Sequence, residues 1–107
     1  MSDNNLKSAL VDLVTDIWRL EKAAQGIELP PGVLLAIDRL KEDLLVNNVL
    51  VIDPSGERYD KSLNYEVMHI DSGDGDLWVS ETASPGVSIS GTLMTRPKVY
   101  LAPQKVV

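Results

Sequence analysis

The chain has 107 residues, enough for one small domain, and its 44% hydrophobic and 24% charged residues are ordinary for a folded globular protein. A net charge of −6 with scattered Lys and Arg argues against nucleic acid or an anionic membrane as a partner, because phosphate binding needs a basic patch. The absence of cysteine excludes disulfides and thiolate metal sites. No apolar run approaches the roughly 20 residues that span a bilayer. We therefore expect a cytoplasmic protein.

The N-terminal segment has the apolar periodicity of a helix. Leucine and isoleucine recur in alternating steps of four and three, at Leu6, Leu10, Leu13, Ile17 and Leu20. Ala9, Val14 and Trp18 widen this stripe toward the broad face of a helical bundle. Gly26 is expected to end the helix, since glycine readily adopts the left-handed conformation of a helix C-terminus.

A second helix is predicted after the segment "IELPPG". Pro31 or Gly32 begins it, and the pair Asn47-Asn48 ends it. Its apolar face includes Leu34, Ile37, Leu40 and Leu44. Two amphipathic helices joined by a short loop predict an antiparallel hairpin, which cannot bury both apolar faces alone. The hairpin needs either the rest of the chain or a second copy of itself to cover them. With a second copy, residues 1–48 are expected to dimerise as a four-helix bundle whose interface is formed by these four residues and the five of the first helix.

From residue 49 onward the periodicity changes to two, the period of β-strands. Short strands separated by Gly and Pro turns are predicted at "VLVI", "NYEVMHI", "LWVSET", "VSISGTLM" and "KVYLA". This pattern is typical of a compact antiparallel sandwich or small barrel. The predicted fold class is thus α+β, with a helical hairpin followed by a small all-β domain over residues 49–107.

The residue types that carry catalysis are scarce. His69 is the only histidine, and it lies inside a predicted strand, where a structural or exposed role is more common than a catalytic one. The segment "DSGDGD" could supply oxygen ligands to calcium, but its spacing does not fit the EF-hand loop, and Asp and Gly also favour turns. We expect a protein that is not an enzyme and has no metal site or cofactor; a metal-dependent enzyme built on this segment is the weakest alternative.

Two segments of the β half resemble a known family. "VLVIDPSGERYD" directly follows the helical hairpin, and "PGVSISGTLMTRP" lies further on. In this order they are similar to the two β-wing signatures of the GrpE family, the nucleotide exchange factors of DnaK-type chaperones. The resemblance covers about residues 6 to 102. It implies a homodimer whose β-wing binds the ATPase domain of a DnaK-type chaperone and promotes ADP release.

The resemblance also has departures. Val87 replaces an aromatic residue of the family, Thr92 replaces a basic residue that helps to engage the chaperone, and Arg96-Pro97 is offset by one position. A counterpart of the long N-terminal paired helix is missing, as expected either of a short, diverged member or of a chain that has been trimmed. The expected chaperone-binding residues are exposed strand positions, namely Ser84, Ser90, Thr92, Met94 and Leu101. The alternative is a dimeric GrpE-like adaptor that has lost exchange activity.

Overall fold

The computed structural model describes residues 3–73 and 75–103 and has mixed α+β architecture. Two helices come first in the chain, α1 (Asp3–Ala24) and α2 (Pro31–Val46). Six strands follow: β1 (Val49–Ile52), β2 (Glu66–Ile70), β3 (Trp78–Ser84), β4 (Gly86–Ile89), β5 (Thr92–Thr95) and β6 (Lys98–Ala102). The predicted α+β class is confirmed. We call residues 49–103 the β module.

Local signals set the ends of α2. Pro31 occupies the first helical turn, where its missing N–H costs no intrahelical hydrogen bond. At the other end, Asn47 Nδ2 donates to the Asp43 carbonyl oxygen at 2.7 Å. Asn48 then takes a left-handed conformation, with φ of 59°. That conformation ends the helix and directs the chain into β1.

The strands form two three-stranded sheets. The first has the order β1-β4-β5 and is antiparallel throughout. The second has the order β2-β6-β3, in which β3 pairs antiparallel with β6 but β2 pairs parallel with it. The prediction of a wholly antiparallel module is wrong for that pair. The long connection from β2 to β6, which includes β3, β4 and β5, brings the chain back in the same direction.

The segment "VSISGTLM", predicted as one strand, is a hairpin. β4 and β5 pair antiparallel around Ser90 and Gly91, which have φ of 50° and 83°. Two consecutive positive φ angles make the tight turn whose twist matches paired strands. Ser90 and Thr92 therefore lie at the tip of a hairpin and not in the middle of a strand.

Two small apolar clusters hold the structure together. Val14 of α1 packs against Val49 and Val87, which joins the helix to the first sheet. The second cluster lies within the second sheet and centres on Val79, Val99 and Leu101. Val14, which was expected to widen the apolar face of α1, is buried against the β module, and Leu10 and Leu44 pack against the same cluster.

Helix α2 contributes no buried residue. An ion pair between Lys41 Nζ and Glu21 Oε2, at 3.3 Å, connects it to α1. The apolar side chains of the two helices nevertheless stay largely accessible. In the described part of the chain, neither helix combines the length and hydropathy needed to cross a membrane.

Candidate functional site

An open groove of about 490 Å³ lies between α1 and α2, and we call it the helical groove. Its apolar lining comes from α1, α2, β1 and β4, and consists of Leu10, Leu13, Ile17, Leu40, Leu44, Val49 and Ile89. The sequence pattern predicts the helical members of this set. It does not predict Val49 and Ile89, which the pairing of β1 with β4 places side by side.

The predicted dimer residues are only partly covered within one chain. Leu13 is 57% exposed and Leu40 is 39% exposed, although both line the helical groove. Of the nine, Leu6, Leu13, Leu20, Leu34 and Leu40 are exposed, and Leu10, Ile17, Ile37 and Leu44 are half-buried. Exposed apolar side chains that line a groove are typical of interaction sites.

The predicted chaperone-binding residues differ in accessibility. Ser90 and Thr92 are exposed at the β4–β5 hairpin, whereas Ser84 and Met94 are half-buried. Leu101 is fully buried, so the expectation that it is exposed is wrong. The physical reason is that β6 is the central strand of its sheet, and Leu101 packs in the cluster with Val79 and Val99.

These residues do not form one site. Ser90 lines a depression of about 380 Å³ together with Leu45, Asn48, Leu50 and Gly91. Ser84 instead borders a polar depression of about 400 Å³ between α1 and the β module. The charged residues of that second depression are Asp12, Asp16, Arg19 and Lys98. The hairpin tip and its neighbours on α2 and β1 are therefore a surface separate from Ser84.

A polar cluster around Asp53 connects α1 to the β module. Trp18 Nε1 donates to Asp53 Oδ2 at 2.9 Å, and Lys22 Nζ lies 2.9 Å from the same oxygen. The backbone N–H and the hydroxyl of Ser55 donate to Asp53 Oδ1 at 3.1 and 2.7 Å. The Ser55 hydroxyl is also hydrogen-bonded to the buried Thr82, at 2.8 Å. We call these five residues the Asp53 cluster.

The Asp53 cluster favours the ionised carboxylate. Partial burial opposes ionisation of Asp53, but hydrogen bonding by Ser55, Lys22, Thr82 and Trp18 outweighs it and holds the pKa well below its usual range. The bond from the Ser55 N–H is an Asx turn, which "DPSG" makes predictable from sequence. The contact with Trp18 is not predictable, because the two residues are 35 positions apart.

His69 and the described aspartates of "DSGDGD" are not grouped as metal ligands. His69 is exposed on β2, with Nε2 at 3.4 Å from Asp71 Oδ1. Asp74, the middle aspartate of "DSGDGD", lies outside the described residues. Over residues 3–73 and 75–103, no three His, Asp or Glu side chains are grouped as metal ligands.

No protein-family model matches the sequence, and no curated protein matches it significantly.

Proposed function

We propose that this chain is a GrpE-like co-chaperone, which binds the ATPase domain of a DnaK-type chaperone as a homodimer and promotes the release of ADP. The resemblance of "VLVIDPSGERYD" and "PGVSISGTLMTRP" to the wing signatures supports this proposal. The order of the parts supports it as well, since two amphipathic helices precede a small β module.

The observation that carries the proposal is the unpartnered apolar surface of the helices. Leu13 and Leu40 face an open groove, and α2 has no residue buried within its own chain. Full burial of a leucine side chain contributes about 1.5–3 kcal/mol relative to exposure. If a second copy packs its helices into the helical groove, several leucine side chains become buried. Each of them would contribute part of this free energy to dimerisation. The proposed dimer is therefore a four-helix bundle that carries two β modules.

The proposed mechanism needs no catalytic group. A co-chaperone of this kind binds the open form of the ATPase domain more tightly than the closed, ADP-bound form, and so shifts the population toward the open form. Each tenfold difference in affinity between the two forms contributes about 1.4 kcal/mol to that shift. In this chain the exposed tip at Ser90 and Thr92 would make the contact, together with Met94 on β5, whereas Ser84 lies on a separate surface.

The dimer is tested by sedimentation velocity with one substitution in each helix. Leu13→Asp and Leu40→Asp each place a charge in the helical groove, and we expect each to weaken dimerisation at least about tenfold. Leu35→Asp is the matched control, because Leu35 lies on α2, is 51% exposed and does not line the groove. A wild-type chain that sediments as a monomer at high concentration would rule out the proposed bundle.

The chaperone contact is tested by calorimetric titration of a DnaK-type ATPase domain. We expect tighter binding to the nucleotide-free domain than to the ADP-loaded domain, by at least about tenfold. Equal affinity for both states would instead favour the alternative, a dimeric adaptor without exchange activity. The change from a basic residue to Thr92 is the specific observation that favours this alternative.

A further inference from the structure

The contact between α1 and the β module involves one face of the helix. Val14, Trp18 and Lys22 follow one another at intervals of four residues, which places them along the same side of α1. Val14 packs into the apolar cluster with Val49 and Val87. Trp18 and Lys22 reach Asp53. Leu10, one turn before Val14, packs against the same cluster and also lines the helical groove, so the groove adjoins this contact.

The two points of attachment are spaced along the helix axis. At a rise of about 1.5 Å per residue, Trp18 and Lys22 lie roughly 6 and 12 Å beyond Val14. A helix held only by Val14 and by Leu10 and Val11, which pack against the same cluster, could change its angle to the sheet by pivoting about that cluster. Hydrogen bonds to Asp53 a turn or two further along oppose such a change, because charge-assisted hydrogen bonds have strict geometry.

The β module in turn fixes Asp53. Ser55 donates to Oδ1 through both its N–H and its hydroxyl, and the same hydroxyl is hydrogen-bonded to Thr82. Thr82 is buried in the middle of β3. The carboxylate is therefore held on the β module by one oxygen and presents the other oxygen to α1. Lys22 also lies over the Trp18 ring, 5.6 Å from its centroid, which keeps the two donors together.

We propose that Asp53 is a positioning residue that holds α1 at one angle to the β module, so that the helices and the β4–β5 hairpin keep a fixed relative orientation. Its effect on nucleotide exchange rests on the proposed function. A co-chaperone that separates the lobes of an ATPase domain has to resist the closing motion. Without Asp53, the β module would change its angle to α1. The protein would then bind the ATPase domain without keeping that domain in its open form.

The orientation is tested by pulsed electron paramagnetic resonance between spin labels on α1 and on β3. The chain has no cysteine, so Ser8→Cys and Glu81→Cys, both at exposed positions, introduce the two labels directly. Labelled protein is diluted with unlabelled chains, so that distances within one chain dominate. We expect a narrow distance distribution for the wild type and a distribution at least about twice as broad for Asp53→Ala. An equally narrow distribution in Asp53→Ala would overturn the proposal.

Two further variants separate positioning from general loss of structure. Trp18→Phe removes the indole N–H but keeps an aromatic ring, and we expect broadening with unchanged circular dichroism. Asp76→Asn is the matched control, because Asp76 forms an ion pair of the same 2.9 Å length with Arg58, but within the β module. It should leave the distribution narrow. Broadening by Asp76→Asn equal to that by Asp53→Ala would overturn the specific role of Asp53.

The effect on exchange is measured separately. We expect Asp53→Ala to reduce stimulated ADP release about tenfold or more while its affinity for the nucleotide-free ATPase domain falls less than threefold. If the wild type stimulates no release, the proposed function fails, and the distance measurement still decides whether Asp53 sets the orientation. If the wild type is active and Asp53→Ala is equally active despite a broadened distribution, the role in exchange is overturned.

Discussion

The indole N–H of Trp18 donates to Asp53 Oδ2 at 2.9 Å, and this bond connects the middle of the first helix to the turn that follows the first strand. Lys22 approaches the same oxygen at the same distance. The carboxylate is largely shielded from solvent, with 21% of its side chain exposed. Because Trp18 and Lys22 lie on α1, whereas Asp53 and its partners Ser55 and Thr82 lie in the β module, this cluster affects both the stability of the chain and the relation between its parts.

Removing the Asp53 carboxylate should destabilise the fold. Hydrogen bonds to charged groups contribute about 1.5–3 kcal/mol, so we expect Asp53→Ala to lower the free energy of unfolding by about 2 kcal/mol. Urea denaturation measures the change. Asp76→Asn is the control, because its ion pair with Arg58 is solvent-exposed and such pairs contribute about 0–1 kcal/mol. Equal decreases in the free energy of unfolding of the two variants would show that the Asp53 cluster contributes no more to stability than an exposed ion pair.

Stability should also depend on pH through Asp53. Its pKa in the folded chain is well below the ordinary value of 3.8, so the stability it contributes is present above that value and is lost as the pH falls. We expect the difference in free energy of unfolding between wild type and Asp53→Asn to shrink as the pH is lowered from about 5 to 2. Urea denaturation at a series of pH values measures this difference.

A second carboxylate has the same direction of shift but does not affect that comparison. The Ser62 backbone N–H, which donates to Asp60 at 2.9 Å, lowers the pKa of Asp60. Asp60 is present in both proteins, so its contribution cancels in the difference. A difference between wild type and Asp53→Asn that stays constant down to pH 2 would show that the Asp53 carboxylate is not selectively stabilised in the folded state.

Much of the helical half could be predicted from sequence because its signals are local. Pro31 starts α2, and Asn47 and Asn48 end it, through the conformations that those residue types favour. The periodic leucines correctly indicated an apolar surface, but periodicity alone could not show which part of that surface the β module covers. Val14 is buried because β1 and β4 supply Val49 and Val87, which are distant in sequence.

The pairing in the β half was less predictable. Alternation identifies a strand but not its neighbours, so the parallel pairing of β2 with β6 and the burial of Leu101 could not be read from it. The turn between β4 and β5 was indicated locally by the pair Ser90-Gly91, because such a pair tolerates positive φ angles. Asp53 stands in a segment that was singled out from sequence, yet its partners on α1 required the folded structure.

Gly86 should be intolerant of even one added carbon atom. A Cβ built at this position would lie 2.7 Å from Pro97 Cδ and 3.2 Å from Ile52 Cβ, all in buried or half-buried surroundings. We expect Gly86→Ala to lower the free energy of unfolding by about 1–3 kcal/mol, the range typical of overpacked cores. Thermal unfolding followed by circular dichroism measures the loss.

Gly32 provides the comparison for that substitution. It lies in the first turn of α2, and a Cβ there meets nothing within 4 Å. Gly32→Ala should therefore raise stability, by up to about 1 kcal/mol, because alanine is the better helix former. Similar losses of stability in Gly86→Ala and Gly32→Ala would contradict the close packing between Gly86 and Pro97.

Thr92 offers a gain-of-function test of the chaperone contact. It is exposed at the hairpin tip, and the resemblance places a basic residue there. We expect Thr92→Arg to tighten binding to the ATPase domain up to about tenfold, with a steeper dependence on salt. Ser72→Arg adds the same charge at another exposed position of the β module and should have less effect. Equal tightening by both variants would indicate nonspecific attraction to the chain, and no tightening by Thr92→Arg would argue against contact at the hairpin tip.

The most direct test of the proposed function is the rate at which a fluorescent ADP analogue leaves a DnaK-type ATPase domain, with and without this protein. We expect the wild type to accelerate release at least about tenfold, equivalent to about 1.4 kcal/mol. Leu13→Asp and Leu40→Asp should reduce the acceleration if the dimer is required, whereas Leu35→Asp should retain it. An unchanged release rate with saturating wild-type protein would contradict the assignment as an exchange factor.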